Sequence, residues 1–180
     1  MGGIASMSYW RGVVKLMPEL RAYARSVASN PEEAEDLVSD AIERSANAAQ
    51  CPQALDELRP WLFRVIRNLY IDEKRKQKVR LEYSATAVRL SEGLVETGSK
   101  AEETVLLRTA FEQLSSQERE VLFLVDIMGM KYAEAAAIIE VPTGTIMSRI
   151  SRARKALLEL VNPLQATEEE AKTGKEKLYL

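Results

Sequence analysis

The chain has 180 residues, 46% of them hydrophobic, with 25 Lys and Arg set against 27 Asp and Glu. That size supports one domain or two small ones, and a net charge of -2 excludes a uniformly basic nucleic-acid binder. One cysteine and no histidine exclude an internal disulfide and a zinc site of the usual ligands, and deny a serine or cysteine nucleophile its ordinary base.

Tyr9 to about Ser29 reads as a helix whose apolar side carries Leu16, Leu20, Tyr23, Ala24 and Val27, with a disturbance expected at Pro18. Asn30-Pro31-Glu32-Glu33 is a helix start: Asn caps, Pro takes the first position, and acids face the positive helix end. The helix that follows buries Leu37 and Ala41 and is acidic, with Glu32, Glu33, Glu35, Asp36, Asp40 and Glu43. Cys51-Pro52-Gln53 breaks the pattern, and Cys51 reads as a small loop residue rather than a redox sensor.

A further helix is expected from about Leu58 to about Val79. Leu58, Trp61, Leu62, Val65, Ile66 and Leu69 form its apolar stripe, so Trp61 is read as core rather than as a stacking platform. Arg64, Arg67, Asn68, Ile71 and Arg75 line the other side. The helix dipole alone accounts for cations from Lys74 to Arg80, but not for Arg64 and Arg67 so far from that end. Residues 81–101 then dissolve into Ser, Thr and Gly and read as a flexible linker.

Ser115-Ser116-Gln117-Glu118 has the capping-box pattern ahead of Val121, Leu122, Leu124 and Val125, with a stop near Gly129. A short alanine-rich helix is expected from Tyr132 to Ile139, then punctuation at Pro142 and Gly144. The last helix has two faces. Ile146, Ile150, Ala153, Leu157 and Leu160 form an apolar stripe, while Ser148, Ser151, Arg152 and Lys155, flanked by Arg149 and Arg154, meet no carboxylate until Glu159. Arginine forks suit guanine edges and phosphates, and short hydroxyls allow close approach to a groove, so a helix-turn-helix is expected here. Residues 164–180 read as a charged tail with little to bury, disordered by default. No strand pattern stands out, so the fold class is all-α: two small helical domains joined by a flexible linker. No apolar run approaches the roughly 20 residues that cross a bilayer, and no leader pattern opens the chain, so no membrane insertion and a cytoplasmic location are expected.

The segments Leu114–Leu122, Tyr132–Ala136 and Gly144–Arg154 resemble region 4 of sigma-70-family factors of the extracytoplasmic-function (ECF) group. Arg21–Arg25, Ala34–Val38 and Trp61–Arg75 resemble region 2. The resemblance implies region 2 over 1–80, a linker over 81–101 and region 4 over 102–163. It also implies a protein that binds core RNA polymerase and promoter DNA, uses no cofactor and performs no catalysis. For the minus-thirty-five element it points to Thr145, Met147, Ser148, Arg149, Ser151, Arg152, Arg154 and Lys155. For the melted minus-ten element it points to Asn68 as a base contact and Arg64, Arg67, Lys74 and Arg75 at phosphates. Glu35, Asp36, Leu37 and Asp40 match the part of region 2 that docks on polymerase, although a solvated acidic face needs no partner at all. An anti-sigma partner that occludes the DNA-binding domains is expected, and Pro18–Ser26 has a weak similarity to the general-stress subgroup that region 4 does not particularly support. Met147 and Ser151 depart from the residues common in the family, so the promoter sequence does not carry over from any relative. Two rivals remain. A stand-alone helix-turn-helix regulator explains Ser115 to Leu160 but leaves Trp61 to Arg75 without a purpose. A sigma-mimicking adaptor for an anti-sigma protein usually adjoins a receiver domain and has lost the arginines that persist here.

Overall fold

The computed structural model describes residues 6–83 and 102–176, all helical apart from short turns and caps, with no strand among them. The linker expected at 81–101 lies outside the described residues except for its first three, which extend a helix. Three helices form the amino-terminal half: α1 (Met7–Val27), α2 (Pro31–Ala46) and α3 (Leu55–Tyr83). The carboxy-terminal half holds α4 (Glu102–Gln113), α5 (Ser116–Leu122), a π-helical turn (Phe123–Ile127), α6 (Tyr132–Ile139) and α7 (Thr143–Glu176).

α1 begins where Ser6 accepts from the Tyr9 N–H and runs through Pro18 without a break. Pro18 is exposed, so the lost hydrogen bond and the ring face solvent rather than the packed side. Tyr9, Val13, Leu16, Leu20, Tyr23, Ala24 and Val27 are buried against Leu37, Val38 and Ala41 of α2 and Leu58, Leu62, Phe63 and Ile66 of α3. Close approach of α1 to α3 depends on Gly12, where a Cβ would lie 2.7 Å from Leu58 Cδ2. The Tyr9 hydroxyl bonds Ser45 and the Ile42 carbonyl, which ties α1 to the end of α2.

α2 starts as the sequence predicts, with Asn30 Oδ1 accepting from the Glu33 N–H at 2.7 Å and Pro31 in the first turn. Glu33 reaches back to accept from the Ser29 N–H at 2.6 Å, and Lys74 Nζ of α3 lies 3.1 Å from its other oxygen.

In the second half, Ser115 and Glu118 form the capping box. The expected single helix changes pitch at Phe123, where the Met128 N–H reaches the Phe123 carbonyl in an i to i+5 bond, and it ends before Gly129 at φ 66°. The tight turn of the helix-turn-helix is made by Glu140 in the left-handed region (φ 56°, ψ 48°), not by Gly144, which lies inside the first turn of α7. The Glu140 and Val141 N–H groups both return to the Ala136 carbonyl, closing α6. α7 continues past Pro163 to Glu176, where a disordered tail was the expectation. Glu, Ala and Lys favour helix, and extending a helix already nucleated fixes only one residue per bond.

Two outcomes follow from these local arrangements. Glu140→Gly removes the Cβ from a left-handed position and is expected to raise unfolding free energy by roughly 0.5–1 kcal/mol, read from a urea midpoint. For Glu33, burial pushes its carboxyl up, but the Ser29 N–H and the Lys74 ammonium outweigh that and hold it below its ordinary value. A depressed carboxyl adds stability that is present above its unfolded titration near about pH 4.3 and lost as pH falls through the lower folded value. Glu33→Gln therefore lowers stability by about 1–2 kcal/mol at neutral pH. Its unfolding curve and that of the wild type should converge at pH 3.

Candidate nucleic-acid interface

α7 is set on its half of the molecule by Ile146, Ile150 and Ala153, each at most 2% exposed, packed with Val121, Leu124, Ile138 and Ile139. Burying two isoleucines and an alanine on one side contributes several kcal/mol, on the order of 1.5–3 per large side chain, and fixes the rotation of the helix. That rotation turns Met147, Ser148, Ser151, Arg152 and Lys155 to solvent. Met147 is 55% exposed, a large apolar side chain with no packing role within the protein. Arg152 lies back along its own helix with Nε donating to the Ser148 carbonyl at 3.3 Å, and Ser148 Oγ donates to the Thr145 carbonyl at 3.0 Å. Both bonds are local and exposed, so a base or phosphate can replace them at little cost. Thr145 is half-buried at the start of this face.

Arg154 and Arg149 lie at the flanks rather than at the centre. Arg154 makes a fork on Asp126 of the π turn, with Nη2 to Oδ1 at 2.6 Å and Nε to Oδ2 at 3.0 Å. The pair clamps α7 to the helix behind it, a role the sequence does not reveal because Asp126 lies 28 residues away and reaches Arg154 only across the fold. Arg149 is half-buried, and its positive charge opposes the upward push of burial on the Glu120 carboxyl.

On α3 the expected minus-ten residues are similarly divided. Arg64 and Asn68 are exposed on one face, and Arg75 is exposed with Asp72 at 3.8 Å. Lys74 is held by Glu33, donates to Ser29 Oγ at 2.9 Å and lies 5.3 Å over the Tyr70 ring. Arg67 is drawn inward: its side chain is 13% exposed, with Nε 3.2 Å from Glu120 Oε1. Trp61 is half-buried against the core, as its place in the apolar stripe suggests. Among the residues expected to face polymerase, Asp36 and Asp40 are exposed and Glu35 is paired with Arg21 at 2.9 Å and Arg25 at 3.5 Å. Leu37 is 6% exposed and packs in the core of its own half, so it shapes α2 from within.

Sequence reasoning missed Glu120. It lies on α5 with a side chain 9% exposed, and it accepts from the Tyr23 hydroxyl of α1 at 2.9 Å while facing Arg67 of α3. Burial pushes its carboxyl up, against the opposing pull of Arg67, the Tyr23 hydroxyl and Arg149. The signal available in sequence was a single acid directly before the apolar pair Val121 and Leu122, which does not announce burial. No group of acidic or sulfur ligands that would hold a metal occurs among the described residues.

Comparison with known proteins agrees with this arrangement of two helical units. The sigma-70 region 2 family matches residues 13–80, and the sigma-70 region 4 family matches residues 104–157. The chain is 34% identical over 150 residues to the ECF RNA polymerase sigma factor EcfG of Rhodopseudomonas palustris, covering 83% of this chain and 82% of that one. It is also 34% identical to the ECF sigma factor SigC of Mycobacterium tuberculosis, over 79% of this chain and 75% of the relative. Among solved structures it is similar to the sigma factor RpoE of Bartonella quintana in complex with the anti-sigma factor NepR, with 28% identity, a TM-score of 0.63 and coverage of 87% and 98%. The chain belongs to the sigma-70 family of RNA polymerase sigma factors, in its extracytoplasmic-function group.

Proposed function

We propose that this sigma factor binds core RNA polymerase in the cytoplasm and directs it to promoters through two separate readings of DNA. The exposed face of α7 enters the major groove of a duplex minus-thirty-five element, and the α3 face carrying Arg64 and Asn68 holds the melted minus-ten strand. Both acts are binding, and no residue has a catalytic role. The observation that carries this reading is the division of α7, with Ile146, Ile150 and Ala153 sealed in the core while Ser148, Ser151, Arg152 and Lys155 are exposed to solvent. A helix fixed from behind presents its polar side chains in one register, which direct readout requires.

On α3, a separated strand needs positive charge along its backbone and compensation for lost stacking. Arg64 supplies charge there, and Asn68 offers both donor and acceptor to an unpaired base edge. The exposed acids Asp36 and Asp40 support α2 as the polymerase-facing helix of the amino-terminal half. The NepR-bound relative supports an anti-sigma partner of that kind, in line with the weak similarity of Pro18–Ser26 to the general-stress subgroup.

In vitro transcription from a library of promoter fragments, with bacterial core polymerase and with or without this protein, tests the reading. Transcripts that appear only with the protein are expected. Intact duplex binding without any core binding would favour an operator-binding regulator, and anti-sigma binding alone would favour an adaptor. Within that assay Arg152→Ala is expected to weaken duplex promoter binding by roughly 1–3 kcal/mol, and unchanged affinity would remove Arg152 from the reading set. Asn68→Ala is expected to impair strand opening more than initial duplex binding, and permanganate footprints as strong as wild type would count against its role.

A further inference from the structure

The polar face of α7 has one member of a different kind. Met147 is a long apolar side chain, 55% exposed, set amid Ser148, Ser151, Arg152 and Lys155. Its place is fixed by its neighbours: Ile146 before it and Ile150 three residues after it are buried, so the helix cannot turn Met147 into the core without turning them out. On the same surface Thr143 and Gly144 lie one turn back and Ser151 one turn on, all exposed and all short. At Gly144 the space is open, since a Cβ there would meet nothing within 4 Å. Met147 is therefore the tallest group on the first turns of α7, the part of such a helix that meets base edges.

An apolar side chain at that position gains nothing from a phosphate, and against the hydrogen-bonding edge of a base it would only displace water. The major groove offers it one matching group, the C5-methyl of thymine, which is read by contact and not by a hydrogen bond. Methionine suits such a target, because its flexible, polarizable thioether adapts to a small apolar surface. The short neighbours matter as much, since they let the helix backbone come close enough for the side chain to reach the groove floor. Burying one methyl group against it changes affinity by roughly fourfold.

We propose that Met147 is a specificity-determining residue of the minus-thirty-five contact, selecting a thymine by packing its thioether against the C5-methyl group. The inference rests on the reading of α7 as the helix that enters that duplex, and it adds a base preference and the group by which the base is recognised. Cytosine, with no methyl group and an amino group in place of the carbonyl, is disfavoured at that position. So is a purine, which presents only hydrogen-bonding atoms there.

The test starts from a duplex library with a randomised segment, selected by the full chain with and without bacterial core polymerase. In the enriched duplex each thymine is replaced in turn by deoxyuridine, which deletes the methyl group and leaves base pairing intact. One thymine, or two adjacent ones, is expected where the replacement weakens wild-type binding by roughly threefold to fivefold. In Met147→Ala that sensitivity is expected to vanish while any loss at other thymines persists, and in Met147→Leu, still apolar, it is expected to remain. Both variants place a good helix former at an exposed helical position, so both are expected to fold. The absence of any thymine whose methyl group is felt by the wild type and not by Met147→Ala would overturn the proposal. The two selections separate it from the sigma reading. Enrichment that needs core polymerase, with no thymine dependent on Met147, sinks the methyl contact alone. Enrichment by the chain without polymerase and not with it, at a thymine dependent on Met147, upholds the contact and sinks the sigma reading. A library from which neither selection enriches any duplex sinks both.

Discussion

A carboxylate taken out of water has to be compensated where it lies, and Glu120 finds two of its compensating groups, Arg67 and Tyr23, on the opposite half of the molecule. This requirement fixes which part of α5 faces α1 and α3, and through α5 it fixes the placing of everything that packs on it, including α7. Removing the arginine or the tyrosine hydroxyl would strand the acid, so the contact is selective for one geometry. It is not correspondingly strong, because the cost of burying both charges offsets much of their attraction.

The same physics sorts the arginines of the two basic helices. Those along the solvent side, Arg64 and Arg152, have only local bonds or none to give up among the described residues, and both are exposed. Those at the flanks already have partners: Arg154 has Asp126, and Arg67 has Glu120. The Arg154 fork depends on the π turn, which carries Asp126 on the stretch that α7 packs against. Structural and reading roles are therefore divided within a single basic helix, and a count of its charges overstates how many can touch DNA.

Much of this was legible in the sequence because it is local or periodic. The cap at Asn30, the box at Ser115 and Glu118, the stop at Gly129 and the apolar stripes of α3 and α7 each depend on residues within a turn or two of one another. What was not legible depends on residues far apart in sequence. Glu120 lies 97 residues from Tyr23, and nothing in its neighbours marks it as buried. The left-handed turn at Glu140 was hidden for another reason: glycine is the usual sign of that conformation, and here a glutamate adopts it while Gly144, four residues on, lies in regular helix.

The division of the basic helices also bears on how specificity can arise on such a surface. Phosphate attraction is sequence-independent and acts on any duplex, so a chain with every arginine free would be drawn to random DNA. Arg67 and Arg154 are each paired with an acid of the protein itself, Glu120 and Asp126, which tempers that general attraction. The polar groups on the solvent side of α7, fixed in register by the buried isoleucines behind them, are then left a larger share in any contact the helix makes.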